Sequence, residues 1–151
     1  MMSDELFNLI YNKCLDLLSR REHSRKELKE KLLLRFQSDG LIRTVLDRLE
    51  SNNLINELRF AEAYTRSRKR KGFGPKKIFY ELSAKGVKES VSNQVILDEG
   101  NWDKVAKLAF TKKFKNGPSE EIKQKLKQKN FLQNRGFGFK EIESVFTNDM
   151  L

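Results

Sequence analysis

From Leu6 to Phe146 the apolar residues return at spacings of three and four, with only two prolines in the whole chain to interrupt them. This is the period of amphipathic helices; a strand pattern would alternate. The chain is expected to be all-α. Residues 5 to 20 place Leu6, Ile10, Cys14 and Leu17 on one stripe, with Cys14 read as a small core residue. A second helix opens at Ser24, whose hydroxyl can accept from a first-turn amide while Glu27 reaches back, and it turns Leu28 and Leu32 inward. His23, just before that cap, has no catalytic partners in the sequence and reads as a linker residue. A third helix, about 41 to 51, buries Leu41, Val45 and Leu49 and stops at Ser51-Asn52-Asn53.

The scheme then starts again. A fourth helix runs from about Glu57 to Lys71 with Phe60 and Tyr64 inward, and a fifth begins at Gly74-Pro75, where proline's missing amide costs nothing. A sixth covers about Lys88 to Asp98. Asn101 is expected to cap a seventh with Trp102, Val105 and Phe110 facing the core. Gly117-Pro118 is expected to open an eighth, with Glu120 and Glu121 in its first turn, and Phe139 to Phe146 form a ninth. The second helix of each group carries an apolar pair four apart: Leu28/Leu32, Ile78/Leu82 and Ile122/Leu126. Two of these helices end on a basic residue, glycine and an apolar residue, Lys85-Gly86-Val87 and Arg135-Gly136-Phe137, and in the first group the place reads Arg35-Phe36. The glycine can take the left-handed turn that ends a helix. Three tandem three-helix, helix-turn-helix-like repeats follow, over 1–55, 56–100 and 101–151. Each is too small to bury much alone, so neighbours should stack into an elongated, curved body.

Charge decides which partners such a body attracts. The chain holds 31 Lys and Arg against 21 Asp and Glu, a net charge of +10. The excess is uneven: +1 over residues 1–50, +4 over 51–100 and +5 over 101–151. From Arg66 to Lys77 stand Arg66, Arg68, Lys69, Arg70, Lys71, Lys76 and Lys77 with no acid among them. Arg59, Arg66 and Arg70 fall on one helical stripe beside Phe60 and Tyr64. Lys76 and Lys77 occupy a first helical turn, which normally prefers acids, so the free amides there could serve a phosphate or carboxylate. Lys112, Lys113 and Lys115 end the seventh helix, where cations suit the dipole. Each group can be a solvated face or a polyanion contact. Phe73 and Phe114, beside basic residues, can plug the repeats or stack on a base. Trp102 is expected to anchor the third repeat in its core.

The stretch Arg59-Phe60-Ala61-Glu62-Ala63-Tyr64-Thr65-Arg66-Ser67-Arg68, followed by Gly72-Phe73-Gly74-Pro75, Ile78 and Leu82 to Gly86, resembles the signature of the RecX regulatory proteins. So does Arg20-Arg21-Glu22-His23-Ser24-Arg25-Lys26-Glu27-Leu28. The resemblance implies tandem three-helix repeats that bind the RecA recombinase filament on DNA and restrain its ATPase, strand-exchange and coprotease activities. It carries no catalytic motif.

One histidine and one cysteine exclude a zinc site of four Cys/His ligands and an internal disulfide, and no phosphate-binding loop or hydrolase motif is present. The chain is expected to be a non-enzymatic regulator without cofactor or metal. No apolar run exceeds three residues, and the N-terminus lacks the features of a secretory signal, so a cytoplasmic monomer off the membrane is expected. The expected partners are the RecA filament and single-stranded or duplex DNA without sequence preference. The alternative is direct DNA reading by one helix-turn-helix-like unit, although the third, sixth and ninth helices share no base-reading pattern.

Overall fold

The computed structural model describes residues 2–147, with the side chain of Met2 left aside, and shows nine helices and no strand among them. They are α1 (Met2–Arg20), α2 (Arg25–Leu33), α3 (Asp39–Ser51), α4 (Glu57–Arg70), α5 (Pro75–Ala84), α6 (Glu89–Glu99), α7 (Trp102–Lys113), α8 (Ile122–Asn134) and α9 (Phe139–Phe146). The accessible surface of 9982 Å² exceeds the roughly 8,000 Å² expected of a compact protein of this mass. That excess is the form expected of small stacked repeats, each of which leaves its own surface exposed.

Three cores account for that excess. Ile10, Cys14, Leu28, Leu32, Val45 and Leu49 pack within α1–α3; Phe60, Ala61, Ile78, Leu82, Val87 and Val95 within α4–α6; and Val105, Phe110, Leu132, Phe137, Ile142 and Val145 within α7–α9. Burial pushes the Cys14 thiol up to about 11, which keeps it an inert core group. Ser24 makes the expected capping box with Glu27. Gly86 and Gly136 take positive φ, 85° and 99°, where their helices end. There Val87 N–H donates to Leu82 O and Phe137 N–H to Leu132 O, the bonds that close a left-handed helix end.

The third repeat departs from the expected register. Its second helix starts at Ile122, so Pro118, Glu120 and Glu121 lie ahead of it, and no acid occupies its first turn. Ile122 and Leu126 are exposed, at 83% and 58%, and the buried positions matching Leu28/Leu32 and Ile78/Leu82 are Gln128 and Leu132. Gln128 explains the late start: its amide donates to Gly117 O (3.1 Å) and accepts from Ser119 N–H (3.0 Å), holding the incoming chain as a loop. Asn101 adopts φ 57° and makes no side-chain cap, so it turns the chain between α6 and α7 instead.

Consecutive repeats meet through the same parts, the glycine turn of one second helix against the first turn of the preceding one. Gly86 approaches the Lys26 side chain, and Gly136 approaches Lys77. The first joint is polar: Glu27 pairs with Lys85 (3.1 Å), Glu22 with Arg59 (2.7 Å), and Lys26 Nζ donates to Ala84 O. The second is built from backbone. Gly74 N–H donates to Arg135 O (2.7 Å) and Lys76 N–H to Gly136 O (2.9 Å). Trp102 spans this joint, packing on the cores of both the second and third repeats while its indole N–H donates to Ile96 O. It is a bridge, not an anchor of one repeat.

A Cβ on Gly136 would lie 2.6 Å from Lys77 N at a φ of 99°, whereas one on Gly40 meets nothing within 4 Å. Gly136→Ala should therefore cost about 3 kcal/mol or more, and Gly40→Ala, inside α3, should be neutral or stabilise by up to about 1 kcal/mol, read by thermal melting. Burial tends to raise the Glu27 carboxyl, but Arg21, the Ser24 amide and Lys85 outweigh it and hold it at about 2. A depressed carboxyl stabilises above its ordinary value near 4.5 and loses that contribution as pH falls toward 2. Melting temperature should drop through this window, and Glu27→Ala should flatten the drop.

Candidate nucleic-acid interface

The structure distributes the basic residues among different tasks. Arg59 Nε donates to Glu22 and its terminal nitrogen to Asn53 O, so it serves the first joint and is not a free member of a stripe. Arg66, on the same helix, lies 3.4 Å from Glu99. Arg68 makes a two-pronged contact with Glu81, whose carboxylate also accepts from Tyr64, and stacks over Phe73 at 3.9 Å. Lys69 reaches Glu99 and lies over Trp102. These partners give the cations a folding benefit that the bare helical pattern does not reveal.

Lys76 and Lys77 stand in the first turn of α5, as expected, but their surroundings differ from a bare helix start. The Lys76 amide is taken by Gly136 O, which corrects the expectation of free first-turn amides for an anion. Both side chains line a groove of about 920 Å³ between α5 and the α8–α9 pair, together with Tyr80, Leu126 and Phe139. Lys77 also lies over Phe73.

Arg70, Lys71, Lys112, Lys113 and Lys115 come together. The end of α4 brings Arg70 and Lys71, and the end of α7 and the turn after it bring Lys112, Lys113 and Lys115, to one cleft of about 630 Å³. The cleft has no carboxylate in its lining, and none of these five cations makes an ion pair within 4 Å among the described residues. Each pair of helix-end cations is locally favourable against its own dipole. Gathering both ends around one recess is not, because like charges then repel across it. A bound polyanion removes that repulsion.

Arg135, which the sequence marks only as part of the repeated turn, holds this cleft in place. Its guanidinium donates to Lys71 O (3.2 Å) and Gly72 O (3.4 Å) and is stacked over Phe73 and Phe131, at 4.8 and 5.0 Å. It thereby absorbs the orphan carbonyls at the end of α4 and joins α4 to α8. Phe73 packs against the second core and Phe114 against Phe110 and Phe131, so both rings plug the repeats. His23 is buried, with Nδ1 near Arg21 O and Nε2 2.8 Å from Lys31 Nζ; burial pushes its pKa down, and it tethers the entry to α2.

Comparison with known proteins identifies the scaffold that carries this cleft. Family models of the first and second three-helix domains of RecX match residues 11–49 and 56–96. The regulatory protein RecX of Halorhodospira halophila is 38% identical over 87% of this chain and 82% of its own length. The chain belongs to the RecX family of regulatory proteins. RecX of Vibrio parahaemolyticus is 37% identical over 85% of this chain and 83% of its own. The fold agrees with the crystal structure of RecX from Lactobacillus salivarius, with a TM-score of 0.73 over 93% of this chain and 94% of that one. Among the described residues of this RecX-family chain, no helix is long and apolar enough to cross a membrane.

The assignment of Arg135 to structure and of Lys112 to the surface predicts opposite outcomes for their removal. Arg135→Ala should cost about 2 kcal/mol, through carbonyls left without a donor and two lost ring contacts. Lys112→Ala should stay within about 0.5 kcal/mol, read by denaturant unfolding.

Proposed function

We propose that this chain binds along the RecA filament on DNA, touches both recombinase and nucleic acid, and inhibits RecA ATPase, strand exchange and coprotease activity without chemistry of its own. The resemblance and family membership supply RecA as the partner. The observation that carries the nucleic-acid side is the cleft in which Arg70, Lys71, Lys112, Lys113 and Lys115 meet with no carboxylate among the described residues that line it. An elongated body with units at 1–55, 56–100 and 101–151 can span successive positions of a filament, as stacked repeats do on other extended partners. In this reading the protein acts as a monomer in the cytoplasm, and any ATP hydrolysis belongs to RecA. Contact with DNA is nonspecific, because cations that meet phosphates carry no base information. Lys76 and Lys77, beside the apolar groove of α5, α8 and α9, belong to the protein-facing side.

The test is single-strand-dependent ATP hydrolysis by RecA with increasing amounts of this protein. Suppression is expected, and the Arg70→Glu, Lys112→Glu double substitution should raise the amount needed by about tenfold, which corresponds to about 1.4 kcal/mol, with helix content unchanged. Undiminished hydrolysis at a large excess of the wild-type chain contradicts the proposal. Tight binding to one duplex sequence would instead favour direct reading of DNA by a helix-turn-helix-like unit.

A further inference from the structure

The cleft at the ends of α4 and α7 is more than a ring of charge. Leu108 is a large aliphatic side chain left 72% exposed on α7, and it lines the cleft with Val105, Ala109 and the half-buried Phe131. Lys113 lies over that phenyl ring at 5.9 Å and Arg135 at 5.0 Å, so the cations and the apolar lining interleave. Thr111 adds a hydroxyl. Recognition of phosphate alone has no use for this lining, and an aliphatic side chain in water is unfavourable until something covers it.

The shape of the site narrows the ligand. A duplex can meet the cations through its phosphates but has nothing to cover the apolar lining, because the flat faces of paired bases are stacked inside the helix and only their edges are exposed. Here the protein presents a recess. A recess with cations and an apolar lining suits a strand whose phosphates and base faces are both accessible, as in single-stranded nucleic acid.

We propose that this cleft is a site for single-stranded nucleic acid, with phosphates held by Arg70, Lys71, Lys112 and Lys113 and an unstacked base covering Leu108 and Phe131. The inference rests on the reading above that this surface meets nucleic acid, and it adds which form is taken and what the apolar lining does. Arg135 is a positioning residue here, since its guanidinium is committed to Lys71 O and Gly72 O.

The test uses the chain alone, without RecA. Fluorescence anisotropy with dye-labelled oligo(dT), with a duplex of the same length, and with inorganic polyphosphate as competitor separates strand from duplex and base contact from charge. Oligo(dT) should bind more tightly than duplex at equal salt, with a slope of log K on log salt of about −0.7 for each phosphate engaged. Polyphosphate should compete less well than unlabelled oligo(dT) at equal phosphate concentration. Leu108→Ser should weaken oligo(dT) binding about fivefold or more, leave duplex binding and melting temperature unchanged, and be matched by no effect of Leu97→Ser, an equally exposed leucine outside the cleft. Equal affinity for strand and duplex, full displacement by polyphosphate, or an unchanged oligo(dT) affinity in Leu108→Ser overturns the inference. RecA inhibition is measured in parallel. Inhibition that persists while the strand preference is absent removes this inference alone; strand preference without inhibition of RecA removes the proposed regulatory role and leaves the cleft as argued.

Discussion

The architecture depends on two backbone segments approaching closer than side chains allow. Gly74, at the N-cap of α5, faces Gly136, at the end of α8, and a Cβ on Gly74 would lie 2.6 Å from Gly136 O. That proximity lets Gly74 and Lys76 donate to the carbonyls of Arg135 and Gly136. Once the joint closes, Arg135 is placed to cover the end of α4 and to stack on Phe73 and Phe131, and Trp102 can lie across two cores. The position of α7 relative to α4, and so the cleft between their ends, follows from this contact.

The charge of the chain acquires meaning only through such placement. A net charge of +10 attracts polyanions in general and identifies no site. The structure sorts the cations: Arg59, Arg68, Lys69 and Lys85 close joints and networks, whereas Arg70, Lys71, Lys112, Lys113 and Lys115 gather around one recess without an acidic partner among the described residues. The two joints also differ in chemistry. Ion pairs across the first are exposed to competition from salt and pH, while backbone hydrogen bonds and aromatic contacts across the second are not. The regulatory scaffold thus couples a polar joint on its near-neutral side to a fixed joint on its basic side.

What could be read before the fold was known followed from local physics. The Ser24 capping box, Pro75 at the start of α5 and the left-handed glycines at 86 and 136 each depend on residues within one turn, and the structure shows all of them. The start of α8 is not legible in local sequence because its determinant, the Gln128 amide, acts nine and eleven residues away, and the pair Ile122/Leu126 imitates a buried stripe. The commitments of Arg59 to Glu22 and of the Lys76 amide to Gly136 O cross from one repeat to the next, and no periodicity encodes them. The cleft is of the same kind. Its two basic segments are some forty positions apart in sequence, and only the stacking of the repeats brings them together.

The Gly74–Gly136 joint is a closed, fixed contact on which the cleft depends, and the exchange of two amide protons reports on it directly. If the joint is closed, the Gly74 and Lys76 amides, which lie outside the hydrogen-bond ladder of any helix, exchange as slowly in hydrogen-exchange NMR as amides in the middle of α4. Exchange of both at the rate of an unprotected chain, with the helices themselves still protected, would show the second and third repeats to be independent and would contradict the account.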